Sequence, residues 1–179
     1  MEKLLATGKV KAIGVANYSV RYLEELLPQA TVVPAVNQIE NHPSLPQQEI
    51  VDFCKSKGIH ITAYSPLGST GSPMFKAEPV VEVAKRRNVT PASVLLSYHS
   101  EFRGLFDLCI LTTPVARGSS VLAKSVTPER IKANMDLIIL DESDMKVLTD
   151  YSKGLEKSGK LVRYVYPEFG VDFGFPDKS

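Results

Sequence analysis

The stretch "VNQIENHPSLPQQEIVDFCKSKGIHITAYSPLGS", residues 36–69, decides the fold. Its first residues belong to "PAVNQIE", residues 34–40, a short run of strand length and character. Ser44 can cap a helix through "PQQEIVDFCKSKG", with Ile50, Val51, Phe53 and Cys54 inward and Gly58 as its stop. "IHITAYS", residues 59–65, is again strand-like. Strand, helix and strand in close succession make one β–α–β unit.

The same alternation continues on both sides. Upstream, "KAIGV" (11–15) is a predicted strand, and Ser19 is a predicted N-cap for "VRYLEELL", whose Leu23, Leu26 and Leu27 share one face. Downstream, helical patterns cover residues 78–87 and 91–99, the latter with Thr90 as cap and Pro91 in first position. "SSVLAKS" (119–125) is a fourth predicted strand. Thr127 and Pro128 then open "TPERIKANM", and a last helix is expected over 143–153 behind Asp141. The tail is aromatic and loop-like. Four strand–helix alternations predict a parallel sheet with helices on its faces.

A doubly wound sheet and a (β/α) barrel both fit this pattern. No Gly-x-Gly-x-x-Gly follows a strand, which disfavours the dinucleotide-binding version of the former. Polar residues gather instead at the C-terminal ends of the strands: Asn17, Gln38, Tyr64 with Ser65, and Lys124 with Ser125. In a barrel that end carries the active site. Loops also begin there, so one such residue would carry little weight; four strands ending this way point to a site.

Composition narrows the classes further. The 179 residues can bury one sizeable core, and a net charge of +1 gives no broad basic field for nucleic acid. No apolar run approaches the ~18 residues of a membrane span, and the start lacks a signal-peptide core. Two cysteines (Cys54, Cys109) and three scattered histidines (His42, His60, His99) suit a reduced cytoplasm and offer no metal-ligand spacing.

Three segments, "GKVKAIGVANYS", residues 36–69 and "SVLAKSVTPERIKAN", together resemble the aldo-keto reductases in order, spacing and wording. The resemblance covers nearly all of the chain except residues 100–114. It implies a (β/α)8 barrel that transfers hydride between NADP(H) and a small carbonyl or alcohol, without metal. It also implies roles for particular residues. Asn17 and Gln38 match residues that hydrogen-bond the nicotinamide carboxamide, as amide side chains can. Tyr64 matches the ring that stacks on the nicotinamide. Ser65, Leu67 and Ser69 match the loop over the pyrophosphate. Lys124, Ser125 and Arg130 match the clamp on the adenosine 2′-phosphate, and Asn134 the adenine contact. Two cations and two hydroxyls around a helix start independently suit an anion. The family pattern is broken at Ala16, where Ser is usual, at Ala123, where Pro is common, and at Ala133, where Glu or Gln is frequent.

The family's catalytic Asp, Tyr, Lys and His belong to the first half of its barrel, and no stretch here matches their motifs. A whole barrel needs about 250 residues. The expectation is therefore half a barrel, strands five to eight, spanning residues 1–179, with residues 154–179 as a tail that lines the substrate pocket. Such a piece should bind cofactor, lack catalysis alone, and be able to self-associate through its open edges.

Residues 100–114 interrupt the resemblance. Without them the text reads "LLSYHVARGSSVLAKSV", a normal helix, short loop and strand. Seven large apolar side chains make an ordinary exposed loop a poor description. A translated intron is the alternative. Ser100–Phe102 can be encoded by a donor-like GTGAGT, and Pro114-Val115 by an acceptor-like CAG. The frame survives on both sides, and the starting Met1 can then be internal to a longer reading frame.

Overall fold

The computed structural model describes residues 1–69, 71–99, 117–166, 170 and 172–175. Among these, strands β1 (Val15–Ala16), β2 (Val36–Glu40), β3 (His60–Tyr64) and β4 (Ser120–Leu122) form one sheet. All neighbours are parallel and lie in sequence order. Helices α1 (Val20–Leu26) and α2 (Gln48–Ser56) connect the first three strands. Helices α3 (Glu78–Arg87) and α4 (Pro91–Ser97) precede β4, and α5 (Pro128–Ala133) and α6 (Glu142–Lys157) follow it. The order nowhere reverses, so there is no switch-point crevice of the doubly wound kind among the described strands. Consecutive strands of a (β/α) barrel run in this order.

Alternation along each strand sorts the side chains onto two faces. Val15, Ile39 and Ile61 pack with Leu23, Ile50, Val51, Cys54, Ile59 and Phe175 into one apolar cluster beneath α1 and α2. The opposite face carries Gln38, Thr62 and Ser120 in one register row, and Glu40, Tyr64 and Leu122 in the next. A second cluster joins α3, α4 and α6 through Val80, Val83, Val94, Leu95, Tyr98, Met145 and Leu148. Arg86 and Arg87 also reach from α3 to the buried carboxylate of Asp144 on α6, with Nε–O distances of 3.1 and 2.6 Å. Asp144 is thereby buried with two cationic partners, the condition under which a buried charge is tolerated.

Several boundaries differ from those predicted. β1 is shorter and later than 11–15, although the backbone already pairs at Ile13, whose carbonyl accepts from Ala35 at 2.8 Å. Ser44 does not cap α2. Pro46 disfavours helical backbone at Leu45, a His42–Leu45 turn forms instead, and α2 starts behind Gln47 at φ 43°. Ser44 Oγ lies 3.3 Å from the Tyr151 hydroxyl of α6. Thr127 makes no side-chain cap. β4 stops at Leu122, so Lys124 and Ser125 lie beyond it. α6 runs to Lys157, helped by a capping box between Asp141 and Asp144.

The atypical segment 100–114 lies outside the described residues. Its flanks are joined: Ser119 N–H donates to the His99 carbonyl at 3.1 Å, and His99 Nδ1 lies 3.2 Å from Ser119 Oγ. No described helix is long and apolar enough to cross a membrane.

Candidate functional site

Asn17, just past β1, and Tyr64, the last residue of β3, meet at the C-terminal side of the sheet; Gln38, expected at a strand end, lies in the middle of β2, which runs on to Glu40. Ala16 is in register with Gln38, and the Asn17 N–H donates to the Gln38 carbonyl at 2.9 Å. Glu40, one pleat beyond Gln38, is the register partner of Tyr64. The Tyr64 hydroxyl donates to Asn17 Oδ1 at 3.0 Å. Burial, and after it the charge of Glu40, raises the Tyr64 phenol above its ordinary value of 10, so it stays a neutral donor at physiological pH. Asn17 and Ser65 both have positive φ, 58° and 47°. For an L-residue that backbone costs roughly 1–2 kcal/mol, and such strain concentrates where a site must be aimed.

The loop behind β3 turns through a Gly68 N–H to Ser65 carbonyl bond of 2.8 Å. Gly68 has φ 74°, and a Cβ there would lie 2.5 Å from Ser72 Oγ, so only glycine fits. Leu67 packs against the α3–α4–α6 cluster, while Ser69 is exposed.

Lys124, Arg130 and Asn134 lie past β4 and along α5. Lys124 and Arg130 are exposed, and neither has a carboxylate partner among the described residues. Ser125 is less free than its sequence context implied, because its Oγ accepts the Thr127 N–H at 3.2 Å. α5 has six residues and no buried side chain, so its dipole adds little and the cations carry most of the positive field there.

Sequence reasoning missed Glu40. Its carboxylate is fully buried and accepts from Tyr164 N–H at 2.7 Å, Val165 N–H at 3.0 Å and His42 Nε2 at 3.0 Å. A signal was present: an acid two positions after Gln38 on one strand must share its face. Its two amide partners, more than 120 positions away, left no local trace.

The family model described as "Aldo/keto reductase family" matches residues 1–153. The chain belongs to the aldo/keto reductase family. This aldo/keto reductase chain is 65% identical over 179 residues to a D-galacturonate reductase of Hypocrea jecorina, covering 100% of the chain and 53% of that relative. It is 43% identical over 171 residues to a glycerol 2-dehydrogenase (NADP(+)) of Saccharomyces cerevisiae, covering 94% of the chain and 49% of the relative. Among solved structures, an aldose reductase from Giardia lamblia superposes with a TM-score of 0.78 at 32% identity, over 98% of this chain and 54% of that one. The chain thus spans about half the length of the curated relatives it matches.

Proposed function

We propose that this chain is the cofactor-binding half, strands five to eight, of an NADP(H)-dependent aldo-keto reductase barrel. In the complete protein it would reduce a small aldehyde or ketone. The observation that carries the reading is the cluster of Asn17 with Tyr64, bonded through the Tyr64 hydroxyl, and with Gln38, whose carbonyl accepts the Asn17 N–H, on three adjacent parallel strands. The donor set suits the group. Neither the Gln38 carboxamide nor the Asn17 amide nitrogen has a protein partner among the hydrogen bonds of the described residues, so both are available to another amide. Tyr64 offers a ring held at its hydroxyl end. Lys124 and Arg130 are available to a 2′-phosphate, which favours NADP over NAD. When bound, NADPH would supply the hydride; these residues would hold and orient it, with Ser65, Leu67 and Ser69 toward its pyrophosphate and Asn134 toward its adenine.

The half-barrel reading draws on the open face of the sheet. A complete barrel fills its interior with side chains, yet Leu122 on that face is 56% exposed. Val126, Ile131, Met135 and Ile139 extend the exposed apolar rim beyond β4, and Val32 and Val33 lie exposed ahead of β2. The remaining half of the relatives' length is the natural cover for these rims. In its absence they favour self-association, which the mass in solution reports.

The chain has no tryptophan, so NADPH fluorescence is a clean reporter of binding. The expected outcome is saturable NADPH binding stronger than NADH binding, with no oxidation of NADPH by an aromatic aldehyde. Arg130→Ala removes a charge-assisted bond worth roughly 1.5–3 kcal/mol, an about ten- to hundredfold loss for NADPH, and leaves NADH unchanged. Equal affinities for the two nucleotides overturn the clamp, and saturable turnover overturns the division of roles.

A further inference from the structure

The segment behind α6 crosses the C-terminal end of the sheet as a strap, and its backbone is held at several points. Val162 N–H donates to the Ser44 carbonyl at 3.0 Å. Arg163 reaches Gln47 Oε1 at 3.0 Å and lies 4.1 Å over the Phe175 ring. The next two amides, of Tyr164 and Val165, both point at Glu40, one to each carboxylate oxygen. The Val165 carbonyl in turn lies 3.5 Å from the Tyr64 hydroxyl. The two consecutive amides make a fork around a carboxylate, and the anion in that fork is the protein's own buried side chain.

His42 completes the arrangement. It is fully buried, packs against the Tyr164 ring with centroids 5.2 Å apart and planes tilted by 53°, and presents Nε2 to Glu40. Its Nδ1 is buried without a partner. A carboxylate only accepts, so the ring contributes to the arrangement as a donor through Nε2. The two strap amides and the His42 ring thus converge on the two oxygens of Glu40.

We propose that Glu40 is a positioning residue: its buried carboxylate tethers the strap at Tyr164 and Val165 across the ends of β2 and β3, and so holds the strap beside the Tyr64 hydroxyl that donates to Asn17. The tether itself stands on the contacts above. Its meaning for cofactor orientation rests on the reading of Tyr64 as the nicotinamide platform. Glu40→Gln keeps the shape but turns one oxygen into a donor facing the amide fork, so at least one strap amide loses its acceptor.

Trypsin can cut after Lys160 and Arg163, and cleavage there follows the population of released strap. Glu40→Gln should be cut at these sites roughly tenfold faster or more than the parent, at a melting temperature that shows the body still folded. The Tyr64 phenol, isolated as the difference between each protein and its Tyr64→Phe counterpart, should titrate at lower pH in Glu40→Gln, since both the burial and the negative charge that raise it are reduced. Because loss of the charge alone also lowers it, Glu40→Asp, which keeps the charge but draws it back from the strap amides, is the control: a lowered Tyr64 titration there reports the strap, and an unchanged one counts against it. Should Glu40→Gln fail to fold, hydrogen exchange on the parent decides: the Tyr164 and Val165 amides should exchange far more slowly than free peptide. Unchanged cleavage in a folded variant, or free-peptide exchange at these two amides, overturns the tether. NADPH titration is read separately, so loss of the cofactor reading leaves the tether to be judged on cleavage and exchange.

Discussion

Deleting residues 100–114 should stabilise the chain. The two ends of the connection are held to each other by the Ser119 N–H to His99 carbonyl bond and the His99 Nδ1 to Ser119 Oγ contact, between two buried residues. Between His99 and Ser119 the chain has 19 residues; the deletion leaves 4. Closure entropy grows as (3/2)RT ln n, so shortening by that ratio lowers the cost of closing the loop by about 1.4 kcal/mol. A four-residue link is an ordinary length between a helix and a strand. At this chain size the gain corresponds to a melting temperature higher by roughly 3–6 °C. Thermal unfolding followed by circular dichroism, with urea titration for the free energy, measures it. The variant should also be more soluble, because it loses an apolar run of the kind that drives association. A variant that melts below the parent refutes this: the segment would then supply native contacts that outweigh the entropy. Sequencing the transcript across the region separates the two origins of the segment, since universal retention of its codons rules out an intron.

Three further outcomes are expected. Burial, followed by the charge of Arg117, holds the His99 ring at about 3 against an ordinary 6.5, so the unfolded chain binds a proton the native one refuses between those values. Stability is fully present above pH 6.5 and falls below it by up to about 1.4 kcal/mol per pH unit; urea unfolding from pH 7 to 5 should show the slope, and an equal slope in His99→Asn would count against it. Asp141 is held at about 2, chiefly by the Asp144 N–H and then by Ser143, so its contribution is present above pH 3.8 and lost as the pH falls toward 2; Asp141→Asn should flatten acid unfolding in that window. Ser19→Ala removes the acceptor of the Tyr22 N–H at the start of α1 and should cost about 1 kcal/mol in urea unfolding, whereas Ser44→Ala, a predicted cap that does not cap, should leave α2 intact by helix-specific hydrogen exchange.

Much of this protein was legible one segment at a time. Period-two and period-3.6 patterns are local, so the four strands and the helices between them could be read directly, as could the caps at Ser19, Thr90 and Asp141. Polar residues near the strand ends pointed to the side of the sheet where Asn17 and Tyr64 meet, because parallel strands joined by helices put all their C-termini on one side. Where local rules competed, only the folded chain decided. The Leu45-Pro46 step displaced the start of α2 and left Ser44 to the α6 side. The Ser125 oxygen also accepts the Thr127 N–H, a contact no local pattern announced. Glu40 was invisible as anything but an acid in a strand, since its role depends on two amides 124 and 125 positions away. Backbone amides look alike in every sequence; which of them come to lie on a buried carboxylate is settled by the path of the chain in three dimensions, and that path is fixed by packing of the whole molecule.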